Sequence, residues 1–295
     1  MVASLSRLTE NVGIAAFYVF CVAKMMNLSA YLQRIGYDGP LSPTFNTLRA
    51  LHRAHVTAIP YENFDVQLKR PMTIDPYAAF AKIVERGRGG WCYEMNGVFH
   101  LVLTALGFDA ARFSADGSVE HSHLFLTVNL AGTSYVCDVG FSDGPIEPYP
   151  LVAGPFSQDG FEFRIENEAS GRWRMHNHRF GAAPSFLAGQ PDETAMAARC
   201  QWLQTASDSL FVQHATVFRR TPGGISSLID RTLRTITPNE AQRTVIDSAD
   251  EYVALLKTRF ALDLPEAATL WPDLCARHEA YLRAAAARKT AKGVA

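Results

Sequence analysis

The sequence carries almost no net charge: 28 basic and 29 acidic residues leave −1. It therefore offers neither the electrostatic footprint that nucleic acid requires nor a polybasic patch for a membrane surface. No C-x-x-C pair is present. The five cysteines, Cys21, Cys92, Cys137, Cys200 and Cys275, are sparse, odd in number and far apart, which excludes a disulfide framework and a zinc module and points to free thiols in a reducing, cytoplasmic setting. The glycine-rich stretch at Arg88-Gly89-Gly90 lacks the Gly-Lys-Ser/Thr of a phosphate loop. Internal repeats and long linkers are also missing, so the parts are expected to pack as one body. The apolar run Val12 to Ala23 falls short of the ~20 residues of a bilayer span. It has the outline of a signal-peptide core, yet Lys24-Met25-Met26 follows where a small-x-small cleavage pattern would be needed. Residues 1–26 are read as an extension upstream of a soluble protein, with Met25 or Met26 as an alternative start.

What remains is a chain of 295 residues, 48% hydrophobic and 19% charged, a globular balance. A chain of this length buries roughly 75% of its unfolded surface and needs no disulfide or metal for stability. From Leu28 to about Gly107 the apolar period is helical. Ser42-Pro43 reads as an N-cap with proline at the first helical position, ahead of Phe45, Leu48, Leu51 and His55. Asp75-Pro76 repeats the device before Tyr77, Phe80, Ala81 and Val84, and a third helix starts near Cys92 and stops at Gly107. Between about Ala110 and Asp230 the period drops to two, in HSHLFLTVNL, SYVCDVGF, FEFRIE, RWRMH and LFVQHATVF, which predicts an antiparallel sheet or barrel. Helix returns where Ser248 and Glu251 form a capping box ahead of Tyr252, Leu255, Leu256 and Phe260.

The segment Arg86-Gly-Arg-Gly-Gly-Trp-Cys92-Tyr-Glu94-Met-Asn96 leads three glycines and two arginines into a helix that opens with a cysteine. A thiol there feels the positive end of the helix dipole, which favours the nucleophilic thiolate. Such a thiol needs a base and an orienting acid, and a hairpin supplies both. Ala131-Gly132 predicts a two-residue turn pairing Leu130 with Thr133, so that His123 and Asp138 become diagonal neighbours on one face. His121 lies on the same face, further from Asp138. The opposite face carries Leu124, Leu126, Val128 and Leu130, so the face bearing His123 is expected to look towards the helical part that carries Cys92. Two other patterns are weaker. Gly140-Phe-Ser142-Asp-Gly144 matches G-x-S-x-G, but prolines rather than a helix follow it, and His121, His123 and Cys137 fit no standard metal spacing. No metal is expected.

These residues resemble the arylamine N-acetyltransferase family. Its R-G-G-x-C-x-E-x-N pattern is present as Arg88, Gly89, Gly90, Cys92, Glu94 and Asn96. Its I-P-[FY]-E-N element is present as Ile59 to Asn63, and its D-[VA]-G-F element as Asp138 to Phe141. The resemblance implies an α+β fold of three domains with a cysteine-protease-like catalytic core: a helical bundle over 27–109, an antiparallel β-barrel over 110–215 and an α/β lid over 216–295. It implies a Cys92–His123–Asp138 triad, and acetyl-CoA as a co-substrate without a permanently bound cofactor. Acetyl transfer would run through an acetyl-Cys92 thioester to a small aromatic amine, a hydrazine or an N-hydroxyarylamine. Gly140, Phe141 and Ser142 would border acetyl-CoA and the acceptor; at 142 the family more often has glycine. Arg88 and Glu62 would hold the loop before Cys92. A transglutaminase-like enzyme or amidase with the same triad, or a binding protein of this fold, are the alternatives.

Overall fold

A computed structural model describes residues 26–116, 122–181, 185–187 and 192–293. The run Val12 to Ala23, Cys21 and His121 lie outside the described residues. Helix α1 (Leu28–Ile35) is capped by Asn27 and ended by Gly36 in the left-handed region, φ 66°. Helix α2 (Phe45–Ala58) begins two residues later than Ser42-Pro43 suggests. Thr44 is extended, and its hydroxyl accepts the Thr47 N–H at 3.2 Å, which leaves Pro43 outside the helix. A two-residue strand β1 (Tyr61–Glu62) and a short helix α3 (Phe64–Gln67) follow. Helix α4 (Pro76–Phe80) has Asp75 as its cap, as expected, but continues into a π-helical turn over Ala81–Glu85. The wider turn rotates the apolar stripe, so Ile83 and Lys82 are buried while Ala81 and Val84 are half-buried. Helix α5 (Cys92–Ala105) is buried on nearly every side and ends before Gly107, φ 81°.

Among the described residues eight strands form one antiparallel sheet: β2 (Asp109–Asp116), β3 (His123–Leu130), β4 (Thr133–Cys137), β5 (Tyr149–Pro150), β6 (Gly154–Gln158), β7 (Phe161–Asn167), β8 (Arg172–His176) and β9 (Ser185–Leu187). Their order is β5-β4-β3-β2-β9-β8-β7-β6. The two edge strands meet where Tyr149 and Phe156 stack at 4.9 Å, so the sheet curls around a core of Phe125, Val136, Phe161, Phe163 and Met175. The β3–β4 register is the one the turn dictates, Leu130 opposite Thr133 and Leu126 opposite Cys137, because Ala131 and Gly132 both take positive φ.

Helices α6 (Glu193–Thr205) and α7 (Leu210–Gln213) come next. Both lie within the stretch from about Ala110 to Asp230 where the period of two predicts sheet, and α7 takes the start of the run LFVQHATVF. In LFVQHATVF, Ser209 caps the first four residues as a helix by accepting the Phe211 N–H, and the strand begins only at Thr216. A second sheet, order β1-β10-β11-β12-β13, holds β10 (Thr216–Thr221), β11 (Gly224–Ile229), β12 (Thr232–Ile236) and β13 (Ala241–Val245). One face packs Val217 and Leu228 on Tyr252, Leu256 and Phe260 of helix α8 (Ala249–Phe260), whose cap is Ser248 as expected. The other face sends Ile225 and Ile236 into the core of the curled sheet. Helix α9 (Trp271–Gly293) closes the chain as described. None of the described helices is long and apolar enough to cross a membrane.

Strand β3 is covered on both sides, and this reverses one expectation. Leu126 and Val128 pack on Met95, Val98 and Phe99 of α5, whereas Phe125, on the face of His123, points into the barrel core. The apolar face meets the helices. His123 is the first residue of its strand, and from that end its ring reaches the start of α5.

Candidate active site

The loop before Cys92 is seated on β1. The Glu62 N–H donates to the Gly90 carbonyl at 2.9 Å and the Gly90 N–H donates to the Pro60 carbonyl at 3.3 Å. A Cβ at Gly89 would stand 2.2 Å from the Pro60 oxygen, which is why glycine is required there. Arg88 donates to Glu62 Oε1 at 2.8 Å, the pairing anticipated for these two residues. Trp91, fully buried against Tyr93 and Phe211, is the N-cap of α5, and its N–H donates to Glu94 Oε2 at 3.3 Å.

Cys92 is thus the first residue of α5 and 2% exposed. Its Sγ lies 3.7 Å from the Ser122 carbonyl oxygen. Helix α6 lays Met196, Cys200 and Leu203 into the same cluster as Trp91, Cys92, Tyr93 and Leu124, so it closes one side of the thiol. The sequence reading missed this helix; its signal is Asp192, whose side chain accepts the Ala195 N–H, ahead of alanine-rich residues.

His123 and Asp138 meet at 2.6 Å, Nε2 to Oδ2. That leaves Nδ1 for the hydrogen bond between His123 and Cys92. Burial pulls the imidazolium down, but the Asp138 charge, the Cys92 charge and the hydrogen bonds to both outweigh it and hold the His123 pKa up at about 10. Asp138 is fixed in turn. Its Oδ1 accepts Asn96 Nδ2 at 2.8 Å and the Gly140 N–H at 3.1 Å, and Asn96 also donates to the Leu124 carbonyl and accepts the Val139 N–H. The Asp138 N–H donates to Nε2 of His52 at 3.1 Å, while the other ring nitrogen of His52 faces the Ile146 carbonyl at 2.9 Å. Burial lowers the His52 pKa to about 4, so it is a neutral ring with its proton on Nδ1. Asn96 was visible in the motif without a role. His52 was not singled out, because a histidine on a helix stripe gives no sign of its partner.

Of the residues expected to border the substrates, Gly140 touches the backbone of Cys92: a Cβ would lie 2.6 Å from Cys92 Cα and 2.6 Å from Asn96 Nδ2. Phe141 sets its ring 5.7 Å from that of His123. Phe141 and Ser142 line a small cavity with Tyr61, Met95, Val139 and Phe218. No helix follows Ser142, which sits in a turn, so the geometry of a serine nucleophile elbow is not formed. Gly140→Ala forces backbone against backbone and is expected to cost about 1–3 kcal/mol of stability. Thermal denaturation reads this directly, and an unchanged melting temperature would contradict the close approach.

A thiol at a helix N-terminus, bonded to an imidazole that a carboxylate orients, is equipped for nucleophilic acyl transfer. A family model described as N-acetyltransferase matches residues 44–269. The arylamine N-acetyltransferase of Mycolicibacterium smegmatis is 32% identical over 259 residues, 82% of this chain and 94% of that protein. The structure of the arylamine N-acetyltransferase from Mycobacterium abscessus superposes with a TM-score of 0.77 at 28% identity, covering 86% of this chain and 96% of that one. That of Mycobacterium marinum arylamine N-acetyltransferase in complex with CoA gives 0.76 at 25% identity, covering 85% and 97%.

Proposed function

The chain belongs to the arylamine N-acetyltransferase family, and on that premise we propose that Cys92, His123 and Asp138 carry acetyl transfer in two half-reactions through an acetyl-Cys92 thioester. It is an acetyltransferase with acetyl-CoA as its co-substrate; the acceptors proposed are arylamines, arylhydrazines and, through oxygen, N-hydroxyarylamines. The observation that carries this reading is the 2.6 Å His123–Asp138 contact beside the Cys92 thiol.

In the first half-reaction the Cys92 thiolate attacks the acetyl carbonyl. The new C–S bond forms as the bond to CoA sulfur breaks, and the leaving thiolate takes the proton from the His123 imidazolium. In the second, the acceptor amine attacks the thioester carbonyl, the bond to Cys92 breaks, and the amine proton passes to His123, restoring the thiolate–imidazolium pair. Asp138 stays ionised throughout, holding the ring orientation and stabilising its cation. One thioester lets two substrates use one cleft in turn. Gly140, Phe141 and Ser142 are proposed to border both.

The test is mass spectrometry of the protein after incubation with acetyl-CoA alone. One acetyl group is expected on the peptide containing Cys92, discharged on addition of an arylamine. An unmodified peptide would overturn the mechanism and favour a triad of other acyl chemistry.

A further inference from the structure

Behind the Cys92 helix lie three carboxylates, Glu62, Asp65 and Glu94, and two cations, Lys82 and Arg88, none more than 8% exposed. Lys82 Nζ stands 2.9 and 3.1 Å from the two Glu94 oxygens, 2.9 Å from Asp65 Oδ2 and 3.9 Å from Glu62 Oε1. Arg88 takes Glu62 at 2.8 Å and Asp65 at 3.1 Å. Among the described residues Lys82 is therefore the one cation paired with Glu94. A lysine buried to 3% exposure is expensive unless it is paired. The position of its partner gives a reason for it: Glu94 is the third residue of the helix whose first residue is Cys92, and its carboxylate caps that helix through the Trp91 N–H.

We propose that Lys82 is a positioning residue for the nucleophile: by neutralising Glu94 it lets Cys92, two residues earlier in the same helical turn, carry negative charge. This rests on the reading that Cys92 is the nucleophile. Burial pushes Glu94 up, Lys82 opposes this, and the carboxyl comes to rest at about 7. The carboxylates hold Lys82 charged against the pull of burial. In a protein without Lys82 the Glu94 charge has no cation beside it, and an ionised Glu94 repels a thiolate at Cys92. The other groups near Cys92 are His123 with Asp138, and Tyr61, Tyr93 and Cys200, whose pKa values burial raises so that they stay neutral.

The experiment is the pH profile of iodoacetamide alkylation at Cys92 in the free protein, with melting temperatures recorded in parallel. Lys82→Met is expected to move the profile up by half to one pH unit, about three- to tenfold slower below the midpoint. Glu94→Gln, which removes the opposing charge, should move it down by a similar amount, and the double variant should return close to wild type. Lys82→Arg should retain the wild-type profile. A role confined to packing gives no reason for opposite signs, so shifts of the same sign, or none, overturn the proposal. Should Lys82→Met not fold, Glu94→Gln is compared with the double variant: the former alone is expected to be faster, and equal profiles overturn the proposal. Acetylation of wild-type Cys92 by acetyl-CoA reports separately on the nucleophile itself.

Discussion

Replacing Cys92 by alanine is expected to bring both half-reactions down to background, a loss on the order of 10⁴-fold or more, as removal of a nucleophile does in related triads. The fold should survive. Cys92 contributes one sulfur to a cluster of Trp91, Tyr93, Leu124, Met196 and Leu203, and removing it costs about 1 kcal/mol, while the cap of α5 depends on Trp91 and Glu94 and is untouched. Turnover with acetyl-CoA and an arylamine, measured beside a thermal melt, separates the two. Activity near wild type in Cys92→Ala would mean that another group receives the acetyl.

Asp138→Asn should be nearly as damaging, about 10³- to 10⁴-fold, for a reason of proton placement. The Asp138 Oδ1 accepts two fixed donors, Asn96 Nδ2 and the Gly140 N–H. An asparagine must keep its oxygen there and turn its NH₂ towards His123. Nε2 then becomes an acceptor, the proton moves to Nδ1, and the ring is a neutral donor to Cys92 instead of its base. The sign of the pH effect follows. In wild type the folded-state pKa of His123, about 10, exceeds the ordinary ~6.5 of an unfolded histidine. Its contribution to stability is therefore complete below ~6.5 and is lost as pH rises towards 10. In Asp138→Asn burial has no carboxylate to oppose it, and this slope should vanish. Melting temperatures at pH 6 and pH 9 test this; the same slope in both proteins would remove Asp138 as the source of the His123 charge.

The parts of this site that sequence made legible are those fixed by local rules. The register that brings His123 beside Asp138 depends on Ala131-Gly132, a two-residue turn with both φ positive, and α5 opens at Cys92 because Trp91 is extended and gives its N–H to Glu94 in the first turn. The rest depends on contacts that local pattern does not encode. Alternation along β3 suggests one buried face, whereas this strand has helices on one side and the barrel core on the other, so its orientation is not legible from the pattern. Lys82 looks like a polar interruption of a helical stripe until the π turn carries it inwards. Helix α6 was absorbed into a β region because strands flank it on both sides.

Strand β1 has only two residues, yet it joins the second sheet to the loop before Cys92: Tyr61 and Glu62 pair with Phe218 and Val217 on one side, and Tyr61 bridges Gly90 on the other. The neighbouring Asn63 accepts the N–H of Thr216, 153 residues downstream. During synthesis a chain released from its amino end therefore carries Cys92 for a long interval before the strand that steadies its loop exists. The loop that leads into Cys92 takes its support from residues far downstream, so a chain truncated before Thr216 would carry this cysteine in a loop without β10 beside it.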